Sequence, residues 1–291
     1  MFDKLLIHPK TLGRLEVFIA NTPNTIMLTG PKGFGKATLA SHLAAALLEL
    51  DVEKLADYPY FHSLDLLKDK KEISIEQIRE VIKLLSLQVP GKNEIRRVIV
   101  INNAGLMTTE AQNALLKTLE EPPKGTVYIL TSERKNKVLP TIASRASVLE
   151  LLPVSLIQTE EYFNGFSSIE VNRAWVLAQG APALIQSLLN DEQDELKESI
   201  EQAKKFLLQK PYERLLELDA LSKDKRELQN LIEGLMRVVR ALYRSSAQKK
   251  DAKLTKKFSV ALRELSQASD RIEANAAPRL EAIALTLNLN I

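Results

Sequence analysis

The sequence contains no cysteine, which excludes disulfides, thiolate metal sites and a cysteine nucleophile. Histidine is nearly as scarce. His8, His42 and His62 are the three present and stand far apart, so no zinc and no other histidine-based metal site is expected. No apolar run is long enough to span a bilayer, and Met1-Phe2-Asp3-Lys4 lacks the apolar core of a secretion signal. A cytoplasmic protein is the expectation. An excess of one charge is also missing. The 40 Lys and Arg against 37 Asp and Glu leave +3, too little to argue nucleic-acid binding by itself. What remains is an ordinary globular composition, 45% hydrophobic and 26% charged, over 291 residues, enough for two or three domains.

One stretch organises the chain. Gly30-Pro31-Lys32-Gly33-Phe34-Gly35-Lys36 fits the phosphate-loop pattern of two glycines separated by four residues, then lysine. The apolar Ile26-Met27-Leu28-Thr29 before it reads as a strand. Ala37 to Leu50 after it reads as a helix. In that setting backbone N–H groups and a helix N-terminus can hold phosphate, with Lys36 reaching the terminal groups. The position after the lysine should carry a hydroxyl for Mg²⁺, and here it is Ala37. Thr38 is no substitute, because one step along a helix rotates a side chain by about 100°.

The remaining pattern is strand and helix in alternation. A helix over Lys10 to Ala20 should bury Leu12, Leu15, Val17 and Phe18. Tyr60–Leu64 reads as a strand ending near Asp65. Ile75–Leu87 reads as a helix with a Ser74–Gln77 capping box. Arg96–Ile101 reads as a strand buried on both faces. Thr109–Glu121 reads as a helix with a Thr109–Gln112 box, stopped by Pro122-Pro123. Thr126–Thr131, a short helix from Leu139 to Ala143, and Ser147–Leu151 complete an α/β module with a parallel sheet. Beyond Pro153 only helical periodicity remains: Glu161–Gln179, a helix through Leu189, then segments near 194–209, 211–221, 225–246, 254–268 and 279–288. That argues for an all-α bundle. A basic run from Arg237 to Lys257 reads first as a solvated helix end and loop. Its second reading is a contact for DNA phosphates or an acidic partner, with Arg237, Arg240 and Arg244 on one helical face.

Three segments carry a family resemblance: Ile75-Glu76-Gln77-Ile78-Arg79, Asn113 to Pro123 (NALLKTLEEPP), and Leu139-Pro140-Thr141-Ile142-Ala143-Ser144-Arg145. With Ile7-His8-Pro9 and Asn275-Ala276-Ala277-Pro278-Arg279-Leu280, they resemble the bacterial DNA polymerase III clamp-loader subunits of the AAA+ superfamily. The resemblance implies a P-loop AAA+ module of five parallel strands over residues 1–153. It also implies a helical lid over 154–190 and a helical collar over 191–291. The partners it implies are gamma or tau ATPase and delta subunits in a heteropentameric ring, a sliding clamp, and primed DNA through the assembly.

Departures from that pattern are specific. A working AAA+ ATPase carries Asp-Glu where this chain has Asn102-Asn103. An amide has no charge for Mg²⁺ and is no base near pH 7. Asp65 or Glu120 would be the available surrogates. Thr131 or Ser132 could sense a γ-phosphate, or equally cap its own backbone. Gly180-Ala181-Pro182-Ala183-Leu184 supplies no lid arginine. The zinc-binding cysteines common in relatives are absent, and the Leu50–Tyr60 segment is too short for that insertion. Ser144-Arg145 matches the family's Ser-Arg-Cys motif, with Ala146 at the cysteine. In such rings this arginine is a finger reaching the neighbouring subunit's ATP. The expectation is a non-hydrolysing subunit that lends Arg145 in trans, with ATP bound weakly or structurally at the loop. The alternatives are a competent gamma/tau-like ATPase, or a DNA-binding protein using Arg237–Lys257.

Overall fold

The computed structural model describes residues 2–288 except 69, 87, 191, 193 and 275. The expected Asn275 of the last motif and Leu87 of the third helix therefore lie outside the described residues. Two compact units are present, Met1–Gln158 and Thr159–Ile291.

The first unit is a five-stranded parallel sheet: β1 (Thr25–Thr29), β2 (Phe61–Leu64), β3 (Arg97–Ile101), β4 (Thr126–Ser132) and β5 (Ser147–Glu150). Spatial order is β2-β3-β4-β1-β5. The central strands are apolar without alternation because both faces are covered. Leu28, Val98, Val100 and Ile129 face a core built with α1 (Pro9–Ala20) and α2 (Lys36–Leu47). Met27, Ile99, Ile101, Tyr128 and Leu130 face the opposite core, built with α3 (Ile75–Leu85), α4 (Thr109–Glu120) and α5 (Pro140–Ala143). This is the period-2 side-chain alternation of a strand, used to fill two cores at once.

Several details differ from expectation for local reasons. Val17 is exposed; Leu15 is buried as expected, with Thr11 beside it, and Leu12 and Phe18 pack half-buried on the core. Helix α2 ends at Leu47, and Glu49 adopts a left-handed φ of 58° just beyond it. The N-cap of α4 is Thr108, whose hydroxyl accepts from Ala111 N, so the Thr109–Gln112 box does not form. The Ser74–Gln77 box is present, with Ser74 N donating to Gln77 Oε1.

Helix α6 (Leu156–Tyr162) spans the division between the units. The second unit holds α7 (Ser168–Ala178), α8 (Pro182–Asn190), α9 (Glu195–Leu208), α10 (Pro211–Leu221), α11 (Lys225–Gln248), α12 (Ala252–Glu273) and α13 (Pro278–Asn288). The single helix expected over Glu161–Gln179 is broken, because Ser167 caps a new helix in a box with Glu170. Helix α11 packs on α9 and α12. Gly234, in the middle of α11, permits the approach: a Cβ there would stand 2.0 Å from Ser199 O on α9. The glycine costs intrinsic helix stability of about 1 kcal/mol, and close packing of two helices offsets it.

Candidate functional site

The loop after β1 has phosphate-cradle geometry. Gly33 and Gly35 take left-handed φ values of 83° and 72°, which residues with a Cβ rarely adopt. Gly35 N-caps α2 without a side-chain partner, so the first-turn N–H groups have no capping side chain. Gly30 is buried and donates its N–H to Ser132 O, tying the loop to the end of β4. Phe34 packs into the core beneath, while Pro31, Ala37 and Thr38 are exposed.

Lys36 is buried and turns back on its own loop. Its Nζ donates to Gly30 O at 2.7 Å and Pro31 O at 2.9 Å. Burial pushes its pKa down from 10.5 to about 8. The nearby Glu133 carboxylate opposes that shift and Lys32 adds to it. Two carbonyl dipoles are weaker partners for an ammonium than a phosphate would be.

The carboxyl ends of β2, β3 and β4 converge on Asn102. Its Nδ2 donates to Asp65 Oδ1 at 2.9 Å and to Ser63 Oγ at 3.3 Å. Its Oδ1 accepts from the Thr131 hydroxyl at 3.3 Å, and that hydroxyl in turn accepts from Asn103 N at 2.9 Å. Asn102 is therefore a buried cross-strand connector. Asn103 is exposed and left-handed, with φ 52°, a conformation Asn tolerates. Ser63 also donates to Asp65 Oδ2. Thr131 thus bridges strands, whereas Ser132 Oγ donates locally to Arg134 O.

This donor set does not fit Mg²⁺. At Asn102, where the resemblance expects a metal-holding aspartate, a carboxamide donates its N–H to the Asp65 carboxylate. A methyl group at Ala37 occupies the position of the hydroxyl. Phosphate, by contrast, fits the cradle and Lys36.

Ser144 and Arg145 follow α5 and are both exposed. Arg145 Nη1 donates to Thr141 O at 2.8 Å, and Nη2 pairs with Glu120 at the end of α4. Glu120, one of the two surrogate carboxylates, is thus held by the arginine. Asp65, the other, is held by Asn102 and Ser63. Gln112, which the capping-box pattern places as a partner of Thr109, does different work. It is buried, its Nε2 donates to Met107 O at 3.1 Å, and its Oε1 accepts from Leu139 N at 2.7 Å. It fixes the start of the short helix that carries Ser144-Arg145. The sequence signal was a polar residue on the buried face of α4.

The basic run divides in two. Arg237 is buried, paired with Glu233 and donating to Ala178 O. Arg240 donates to Gln179 Oε1. Arg244 stacks over Trp175, its guanidinium carbon 5.8 Å from the ring centre. These three link α11 to α7 and its C-cap; burial takes Arg237 out of the phosphate-contact reading, while Arg240 and Arg244 stay exposed. The five lysines from Lys249 to Lys257 are exposed.

Comparison with known proteins adds the following. Residues 12–155 match the family described as "DNA polymerase III, delta subunit". The DNA polymerase III subunit delta' of Pseudomonas aeruginosa is 32% identical over 142 residues, 43% of this chain and 42% of that one. A replication factor C small subunit of Haloarcula marismortui is 28% identical over 154 residues, 53% of this chain and 45% of that one. The chain thus spans less than half the length of these curated relatives. A DNA polymerase III gamma subunit-related protein from Thermotoga maritima, of known crystal structure, superposes with a TM-score of 0.54 at 18% identity. The match covers 94% of this chain and 97% of that one, and it establishes a shared fold.

Proposed function

We propose that this chain, matching a DNA polymerase III delta-subunit family over residues 12–155, similar to curated delta' subunits and AAA+ in fold, is a non-hydrolysing subunit of a clamp loader in DNA replication. It lends Arg145 to the ATP site of a neighbouring gamma/tau-type ATPase subunit. The observation that carries the reading is the Asn102 carboxamide. It donates to Asp65 where a hydrolytic site needs an acceptor of negative charge. Asn103, at the position of the water-polarising glutamate, adds a second loss, since lost general-base action alone costs roughly 10²–10⁴ in rate. The loop can still take the phosphates of ATP without metal chemistry, through the backbone N–H groups of Gly33 and Gly35 and through Lys36. Residues 154–190 are then the lid and 191–291 the collar that joins the ring. Tyr212 on α10 (69% exposed) and Leu280 on α13 (67% exposed) are apolar surface of the kind a neighbouring subunit covers.

A guanidinium aimed at a transferring γ-phosphate is worth about 10³–10⁵ in rate. Reconstitution with gamma/tau and delta subunits and Arg145→Ala should leave assembly intact. It should abolish DNA-stimulated ATPase turnover at the adjacent site, and clamp loading with it. Unchanged turnover would refute the finger role. The competing reading, a competent ATPase, rests on the preserved cradle and Lys36. Turnover by the isolated chain that disappears in Lys36→Ala would establish it.

A further inference from the structure

Of the basic run Arg237–Lys257, Arg237 is buried and Arg240 and Arg244 contact α7 and its C-cap, which leaves the five lysines at the α11–α12 turn. Lys249, Lys250, Lys253, Lys256 and Lys257 are all exposed, and among the described residues their side chains have no ion pair or hydrogen bond. The one acid among them, Asp251, is engaged as the N-cap of α12, accepting from Leu254 N at 2.9 Å.

The placement runs against what a merely solvated helix end selects. Lys250 adopts φ 57°, and its N–H bonds to Ala247 O to close α11. Glycine or asparagine is the default there. The first turn of α12 contains no acidic residue, although acids there are favoured by the helix dipole. Lys253 stands three and four residues from Lys256 and Lys257 on the helix, where like charges repel one another. Each of these choices gives up stability, and each adds positive charge to the same tip.

We infer that the α11–α12 tip is a contact for the phosphate backbone of duplex DNA, separate from the nucleotide loop and from Arg145. The chemistry favours that occupant. Lysines act as point charges on phosphate without reading sequence. Residues 245–257 include no aromatic side chain on which the bases of a single strand could stack.

The test uses the full-length chain and a labelled duplex of about 20 base pairs, with affinity measured against salt concentration. Five neutralised phosphates give a slope of log K on log salt of about −4 to −5, or about a 500-fold loss between 50 and 200 mM salt. Lys253→Gln/Lys256→Gln/Lys257→Gln should fold as wild type and flatten the slope by about 3. An unchanged slope in the triple variant overturns the inference. So does absence of duplex binding at 50 mM salt. In that case, binding of a polyglutamate peptide would reassign the tip to an acidic protein. None of these outcomes depends on Arg145 or on nucleotide turnover, so the reading of the nucleotide site stands or falls separately.

Discussion

Asn102 and Asp65 meet across 2.9 Å, amide N–H to carboxylate, at the ends of adjacent parallel strands. The contact is attractive only because residue 102 is an amide. Asn102→Asp places a second carboxylate against Asp65 and removes the donor to Ser63. The expected cost is about 1.5–3 kcal/mol at pH 7, the value of a hydrogen bond to a charged group. Denaturant titrations at pH 7 of wild type and the variant measure it. ATPase activity should not appear, since Ala37 and Asn103 are unchanged. A variant as stable as wild type at pH 7 would show that this contact carries no weight.

Lys36 makes stability depend on alkaline pH in a defined direction. Its folded pKa, about 8, lies below the ordinary lysine value of 10.5. Between those values the unfolded chain binds the extra proton, so stability rises with pH across that window. The stability difference, wild type minus Lys36→Met, should therefore increase by about 3 kcal/mol from pH 8 to pH 10.5. Nucleotide phosphates prefer the charged lysine, so calorimetric affinity should weaken from pH 7 to pH 9. A difference flat in pH would mean that the ammonium is better solvated than its burial indicates.

Gln112 supplies both of its hydrogen bonds from a buried position. Gln112→Ala leaves Met107 O and Leu139 N without those partners, at about 1–3 kcal/mol for each orphaned group. Urea unfolding should show the loss. In a reconstituted loader the same variant should impair the adjacent ATP site, because the start of the short helix before Arg145 is no longer fixed. Full activity at reduced stability would separate Gln112 from the positioning of Arg145.

Gly234→Ala tests the α9–α11 crossing. Alanine gains about 1 kcal/mol of helix propensity, but its Cβ would meet Ser199 O at 2.0 Å. Backbone cannot yield as a side-chain tip can, so net destabilisation of about 1–3 kcal/mol is expected in urea titrations. A stabilised variant would mean that the helices separate at little cost.

Much of the sheet was legible because central parallel strands write themselves as unbroken apolar runs, as at Val98–Ile101. The loop was legible because only glycine is comfortable at the φ values of Gly33 and Gly35. Residues with two possible uses were harder. Gln112 three places after Thr109 satisfies the capping-box pattern, yet its side chain was taken by a strand-distant N–H at Leu139. Arg237 reads as surface charge in sequence; the fold buries it against Ala178 O while its own-helix neighbour Glu233 pairs with it. Asn102 showed only what it lacked. Its positive role, joining Asp65, Ser63 and Thr131, needed three strands brought side by side.

The pairing of Arg145 with Glu120 has a consequence for timing. An exposed ion pair is worth little, about 0–1 kcal/mol, and a phosphate offers the guanidinium the same kind of oxygen acceptor that the carboxylate does. If Arg145 acts as proposed, engagement of a neighbour's nucleotide would be an exchange of one anion for another, close to balanced in free energy. An arginine held this way would not be a bare cation between cycles, and it could change hands quickly in both directions.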